Sequence, residues 1–141
     1  MHDGEVIVKV VLNQMTIQSI NVFQNLTGSS VIDCIVEDDE IYFVVAAGQY
    51  GLSVGKGGAK IKNAERLFKK PIKVFEYSED PKQFIKSVMP EAQVIEITGS
   101  EVSVKVKQSD KPRVIGKSGK NIKIMNKVLK RLFGIERLKI K

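Results

Sequence analysis

Two stretches of the chain set glycine and lysine at the same spacing. Val54-Gly55-Lys56-Gly57-Gly58-Ala59-Lys60-Ile61-Lys62 and Ile115-Gly116-Lys117-Ser118-Gly119-Lys120-Asn121-Ile122-Lys123 both read apolar-Gly-Lys-x-Gly-x-x-Ile-Lys, 61 residues apart. The chemistry open to such a loop is anion binding. A Gly-x-x-Gly turn that opens a helix brings unpaired backbone N–H groups and the positive end of the helix dipole to the surface. Glycine also removes the Cβ that would hold a sugar-phosphate backbone at a distance. Lys56 and Lys117 add a cation at each loop tip, and Lys60, Lys62, Lys120 and Lys123 follow on the helix. One such loop could equally be a tight connection between two helices. Two copies in one context, each with lysine after the first glycine, favour anion binding.

Rival chemistries fail on spacing or on residue type. A nucleotide-binding P-loop needs a glycine five residues before the Gly of Gly-Lys-Ser/Thr. Lys111 holds that position in the second copy and Tyr50 in the first, where Gly57 also replaces the hydroxyl residue. The chain has one cysteine, Cys34, and one histidine, His2, beside the initiator Met. No nucleophile–base–orienter set can be built from those two, and no disulfide framework or multi-cysteine zinc site. Cys34 reads as a small buried hydrophobe, and Asp38-Asp39-Glu40 as a solvated turn rather than a metal cluster. The expectation is a protein that is no enzyme and has no cofactor, no metal site and no small-molecule substrate.

The elements around the loops repeat as well. Two runs rich in β-branched residues precede each loop, Val31–Glu37 and Ile41–Ala46 in the first copy and Gln93–Thr98 and Val102–Lys107 in the second. Asp38-Asp39-Glu40 and Gly99-Ser100 separate the paired runs as hairpin turns. Short helices are expected over Gln49–Ser53 and Ser109–Val114. After each loop, helical spacing of Ile61, Ala64, Leu67 and Phe68, and of Ile122, Met125, Val128, Leu129 and Leu132, predicts a longer helix. Pro71 and Gly134 then stop the helices, and final strands follow at Ile72–Phe75 and Ile135–Ile140. Each copy also opens with a helix. Asn13 is a candidate cap for one that runs to Leu26, with Met15, Ser19, Val22, Phe23 and Leu26 on its inner face. Pro81 starts another, with Phe84, Ile85 and Val88 inward. Glu5–Val11 is strand-like and belongs to neither copy. The fold class is therefore α+β, in two small domains over residues 1–77, with an extension at 1–11, and 78–141. The polar joint Tyr77-Ser78-Glu79-Asp80 is short enough to hold the two closely.

Charge sharpens the picture. Residues 1–50 carry net −6, whereas residues 105–141 hold 13 Lys+Arg against Asp110 and Glu136. Such density suits a polyanion through phosphate contacts and counterion release. No apolar run approaches the ~18 residues of a membrane span, and the acidic, polar start is no signal peptide. A monomer in the cytoplasm is the expectation.

Hairpin, short helix, Gly-x-x-Gly, helix and strand, opened by an N-terminal helix, resembles the prokaryotic (type II) KH domain, twice over (αββααβ). In closer detail the chain is similar to the short archaeal NusA-like transcription termination/antitermination factors. The residues that carry this are Leu26-Thr27-Gly28, Asp33-Cys34, Gly51 to Gly58, Glu76 to Pro81 and Ile115 to Ile122. The resemblance covers the chain from about Leu12 to the end, without the polymerase-binding N-terminal domain and OB-fold domain of bacterial NusA. It implies single-stranded RNA clamped at Gly55, Lys56, Gly57, Gly58, Lys60, Ile61 and Lys62, and at Gly116, Lys117, Ser118, Gly119, Lys120, Ile122 and Lys123. It further implies an apolar groove lined by Val54, Ile61 and Val44, and by Ile115, Ile122 and Val104. RNA polymerase is the second partner it suggests; a ribosome-associated or RNA-processing role is the alternative. Aromatic residues make up 6% of the chain and the loops hold none, so aliphatic contacts rather than aromatic stacking are expected at the bases.

Overall fold

The computed structural model describes residues 14–141. The strand-like segment at Glu5–Val11 and the Asn13 cap fall outside the described residues. The chain divides into two compact units, one ending at Ser78 and the other running from Glu79 to Lys141.

The first unit consists of α1 (Gln14–Thr27), β1 (Val31–Val36), β2 (Ile41–Val45), α2 (Tyr50–Val54), α3 (Ala59–Phe68) and β3 (Ile72–Glu76). The second repeats the order as α4 (Pro81–Val88), β4 (Val94–Thr98), β5 (Glu101–Lys105), α5 (Lys111–Ile115), α6 (Lys120–Phe133) and β6 (Arg137–Ile140). Each unit holds a three-stranded sheet, β1-β2-β3 and β4-β5-β6. The hairpin partners are antiparallel, with Val36 opposite Ile41 and Thr98 opposite Glu101. The last strand lies parallel to the central one, with Phe43 opposite Val74 and Val102 opposite Leu138. A parallel neighbour needs a crossover, and in both units that crossover is the short helix, the glycine loop and the long helix. Two tandem α+β units with this topology are what the sequence predicts.

The central strands are built from β-branched and aromatic residues and lie in the core. All five residues of β2 are buried. Phe23 of α1 stacks on Phe43 with ring centroids 4.0 Å apart, and Ile41, Val45, Ala64, Ile72 and Val74 close around the pair. Truncating a phenylalanine so enclosed costs roughly 3–5 kcal/mol. In the second unit Phe84, Ile85, Val102, Val104, Val128 and Leu129 are fully buried. One helix position also ties each final strand to its unit. Glu65 Oε2 accepts the Ile72 N–H at 2.9 Å, and Asn126 Oδ1, 61 residues later, accepts the Leu138 N–H at 3.1 Å.

Helix ends follow local chemistry. Asp80 caps α4 by accepting the Lys82 N–H at 2.9 Å, with Pro81 in the first turn. Gly134, at φ 68°, closes α6. Two details differ from expectation. The buried face of α1 runs through Thr16, Ser19, Phe23 and Thr27, leaving Met15 61% and Leu26 38% exposed. Small polar residues can be buried there because their hydroxyls are bonded: Thr27 Oγ1 donates to the Phe23 carbonyl at 2.8 Å and lies 2.7 Å from Ser29 Oγ. Secondly, β6 begins at Arg137 rather than Ile135, because the Ile135 N–H turns back to the Leu129 carbonyl and its side chain enters the core. Among the described residues no helix is long and apolar enough to cross a membrane.

Candidate nucleic-acid interface

The two glycine loops have the same backbone. Gly55 lies at φ 78°, ψ 169° and Gly116 at φ 81°, ψ 167°, a region essentially reserved for glycine. Gly57 and Ser118 both take the left-handed conformation (φ 61° and 56°), and Gly58 and Gly119 follow at φ 77° and 75°. The Gly58 N–H bonds the Gly55 carbonyl at 3.0 Å, and the Gly119 N–H the Gly116 carbonyl at 3.1 Å. The first glycine has a packing reason as well. A Cβ on Gly55 would stand 2.7 Å from Lys60 Cγ and 3.0 Å from its backbone nitrogen. On Gly116 it would stand 2.8 Å from Asn121 Cγ and 2.9 Å from the Asn121 nitrogen. Each loop is thus folded back tightly against the helix it opens.

Those helices start without the usual stabilising chemistry. Neither α3 nor α6 has a side-chain cap or an acid in its first turn, and each begins from a left-handed glycine. Their leading N–H groups take no side-chain cap, beside exposed Lys56 and Lys117. Lys62 and Lys123 are exposed on the same helices, while Lys120 is half-buried. Lys60 is placed differently: its Nζ donates to the Thr27 carbonyl at 2.8 Å, at the end of α1. Its counterpart Asn121 bonds the Arg113 carbonyl at 3.0 Å.

Of the six groove residues, Val54, Ile61, Ile115 and Ile122 are half-buried beside the loops. Val44, 2% exposed, and Val104, fully buried, are core residues instead and reach no ligand.

Two models of protein families match the chain in tandem: the KH domain over residues 18–79 and the NusA-like second KH domain over residues 81–141. The "Probable transcription termination protein NusA" of Methanococcus vannielii is 37% identical over 138 residues, spanning 94% of this chain and 80% of that protein. The protein of the same description from Methanocaldococcus jannaschii is 33% identical over 138 residues, spanning 94% and 75%. The chain belongs to the archaeal NusA-like family of tandem KH proteins. A crystal structure of APE1850 matches it with a TM-score of 0.76 at 33% identity, covering 92% of this chain and all of that one.

KH domains bind RNA by clamping its backbone at a Gly-x-x-Gly loop, and the two KH units of this NusA-like chain are unequally equipped for it. From Glu79 onward there are 15 Lys+Arg against seven Asp+Glu, net +8, whereas residues 1–78 carry net −1. The helices that lead into the loops differ too. At the 61-residue offset, Tyr50 and Leu52 of α2 correspond to Lys111 and Arg113 of α5. Tyr50 is 48% exposed, with its N–H held by Glu76 Oε1 at 3.1 Å, and helical spacing puts it on the side of Val54. An aromatic ring therefore lies five residues before the first loop, a place the composition argument passed over; comparing the two copies position by position would have found it. Arg113 is tied to Glu91 at 3.2 Å and Asp110 at 2.8 Å. The Glu91 hydrogen bond, and then the Asp110 charge, hold its guanidinium more firmly protonated.

Proposed function

We propose that this protein binds single-stranded RNA through two Gly-Lys-x-Gly clamps and acts on transcription termination or antitermination. The observation that carries the proposal is the start of α3 and of α6: a left-handed glycine, no side-chain cap, no first-turn acid and an exposed lysine at the loop tip. Stability alone favours the opposite choices, a Ser, Thr, Asp or Asn cap and acids in the first turn. An RNA phosphate supplies the missing negative charge and accepts the open N–H groups. The half-buried Val54, Ile61, Ile115 and Ile122 then offer aliphatic contact to unstacked bases. The clamp comprises Gly55, Lys56, Gly57, Gly58, Ile61 and Lys62 in the first domain, and Gly116, Lys117, Ser118, Gly119, Lys120, Ile122 and Lys123 in the second. The name of the archaeal relatives supports a role in termination, and RNA polymerase is the protein partner that this role requires.

The test is a pair of loop variants, Lys56→Asp with Gly57→Asp and Lys117→Asp with Ser118→Asp, alone and combined. The exposed lysine changes move stability by only ~0.5 kcal/mol and Gly57→Asp costs up to about 1 kcal/mol for its left-handed backbone, while acids repel phosphate. The combined variant is expected to keep its circular dichroism and lose RNA affinity, and single strands are expected to outcompete duplex of the same sequence. Unchanged affinity with an intact fold would refute the clamps. Crosslinking to nascent transcripts supports the transcription role, whereas co-sedimentation with ribosomal subunits would redirect it to the ribosome.

A further inference from the structure

The helices behind the loops share a second repeated feature. At the 61-residue offset Lys62, Arg66 and Lys69 correspond to Lys123, Lys127 and Lys130, and all six are exposed. Steps of four and three residues keep Lys62 with Arg66, and Lys123 with Lys127 and Lys130, on one side of their helices, and Lys69 follows as the left-handed C-cap of α3 (φ 59°). The buried side is elsewhere, at Ala64 in α3 and at Ile124, Met125, Val128 and Leu129 in α6. Most other charges on these helices are not repeated: Lys60 stands against Asn121, Glu65 against Asn126, and Lys120 against Ala59. Arg131 does match Lys70, but both are half-buried, and Lys70 is tied to the Glu37 carbonyl at 3.0 Å. The stripe is the part of this charge that is both repeated and exposed in the two copies, even though the first unit is close to neutral.

Helix stability does not account for the pattern. A macrodipole favours cations at the C-terminal end, which covers Arg66, Lys69 at the C-cap and Lys130, but disfavours them near the N-terminus, where Lys62 and Lys123 stand. Two of the six make surface contacts of little worth: Arg66 to Asn63 at 2.9 Å, and Lys130 to Glu136 at 3.5 Å with both side chains more than half exposed.

We propose that the two stripes are phosphate tracks. RNA leaving each loop continues along the outer side of the following helix, so each unit holds more nucleotides than its loop clamps. This rests on the loops being RNA clamps, and the experiment separates the two ideas. Full-length wild type and a Lys127→Gln/Lys130→Gln variant are titrated with four-nucleotide and twelve-nucleotide oligouridylate across a salt series. A KH loop grips about four backbone nucleotides, so the short RNA reads the clamp alone. The variant is expected to bind the short RNA within about twofold of wild type. With the long RNA it is expected to lose roughly three- to tenfold, with a log–log salt slope shallower by roughly 1.4, two phosphates' worth. Equal losses on both lengths would mean general attraction rather than a track, and no loss on either would mean a solvated surface or one for an acidic protein; both overturn the proposal. The Lys117→Asp/Ser118→Asp variant is the control. If it binds both lengths like wild type, the clamp itself is wrong, and the track falls with it.

Discussion

The Lys60 ammonium donates to the carbonyl of Thr27 across 33 residues of sequence, with Nζ 2.8 Å from the oxygen. That bond joins the first turn of α3 to the last turn of α1, placing a cation on a carbonyl left open by the helix end. The same side chain lies over Gly55, where its Cγ fills the space a Cβ would need. Lys60 therefore braces the loop from behind, unlike Lys56 at the tip.

Replacing Lys60 with Met should accordingly affect folding more than binding. It removes a partly buried, charge-assisted hydrogen bond, and a loss of about 1 kcal/mol is expected. Urea unfolding measures that loss, and RNA titration should show less weakening than Lys56→Met gives. The reverse order would return Lys60 to the RNA surface.

The glycines of one loop should differ in what they tolerate. Gly55→Ala and Gly116→Ala combine a glycine-only backbone with contacts near 3 Å to backbone nitrogen, and about 2–3 kcal/mol of destabilisation is expected from each. Gly57→Ala has open space around it and pays only for the left-handed conformation, about 1 kcal/mol. Denaturant midpoints for the three variants test the ranking; equal losses would contradict it.

Ser118 carries a positive φ of 56° without being glycine, where the first unit uses Gly57 at φ 61°. Ser118→Asn is expected to raise the stability of the second unit by a few tenths of a kcal/mol, because asparagine accepts this conformation more readily. Thermal unfolding of the variant gives the sign, and a lowered midpoint would argue against strain at this position.

Only Tyr77 to Asp80 separate β3 from α4, and Asp80 is already engaged as the cap of α4. If both loops bind one RNA, a flexible Gly/Ser insertion after Ser78 is expected to weaken binding to an RNA long enough for both, since lengthening a tether lowers the effective concentration of the second site. Affinity unchanged by the insertion, and equal to that of the better isolated unit, would show that the two act independently.

Much of this protein could be read from its residues, for identifiable reasons. The hairpins declared themselves because Ile41-Tyr42-Phe43-Val44-Val45 is all β-branched or aromatic, Val102-Ser103-Val104 alternates valine with a polar residue, and both are bounded by turn formers. Gly-Lys-x-Gly was visible because it occurs twice. The inner face of α1 holds Ser19 and Phe23 as expected but takes Thr16 and Thr27 in place of Met15 and Leu26, since hydropathy cannot anticipate that Thr27 and Ser29 satisfy each other and become burial-competent. Val44 and Val104 were expected in a groove beside the loops, whereas both are buried, and sequence nearness to a loop does not tell which residues of a strand stay open. The Lys60–Thr27 bond depends on tertiary distance, which no local pattern encodes.

In both units the glycine loop lies within the crossover that joins two parallel strands. The loop is consequently not a flap that can open by itself. Releasing β3 or β6 dissolves the clamp, and the loop geometry forms only when the sheet closes. A ligand gripped there stabilises the whole unit against unfolding by mass action, and amide protons deep in the central strands should exchange more slowly once RNA is bound. Occupancy of each clamp could thus be followed from the sheet beneath it, unit by unit, with no label on either loop.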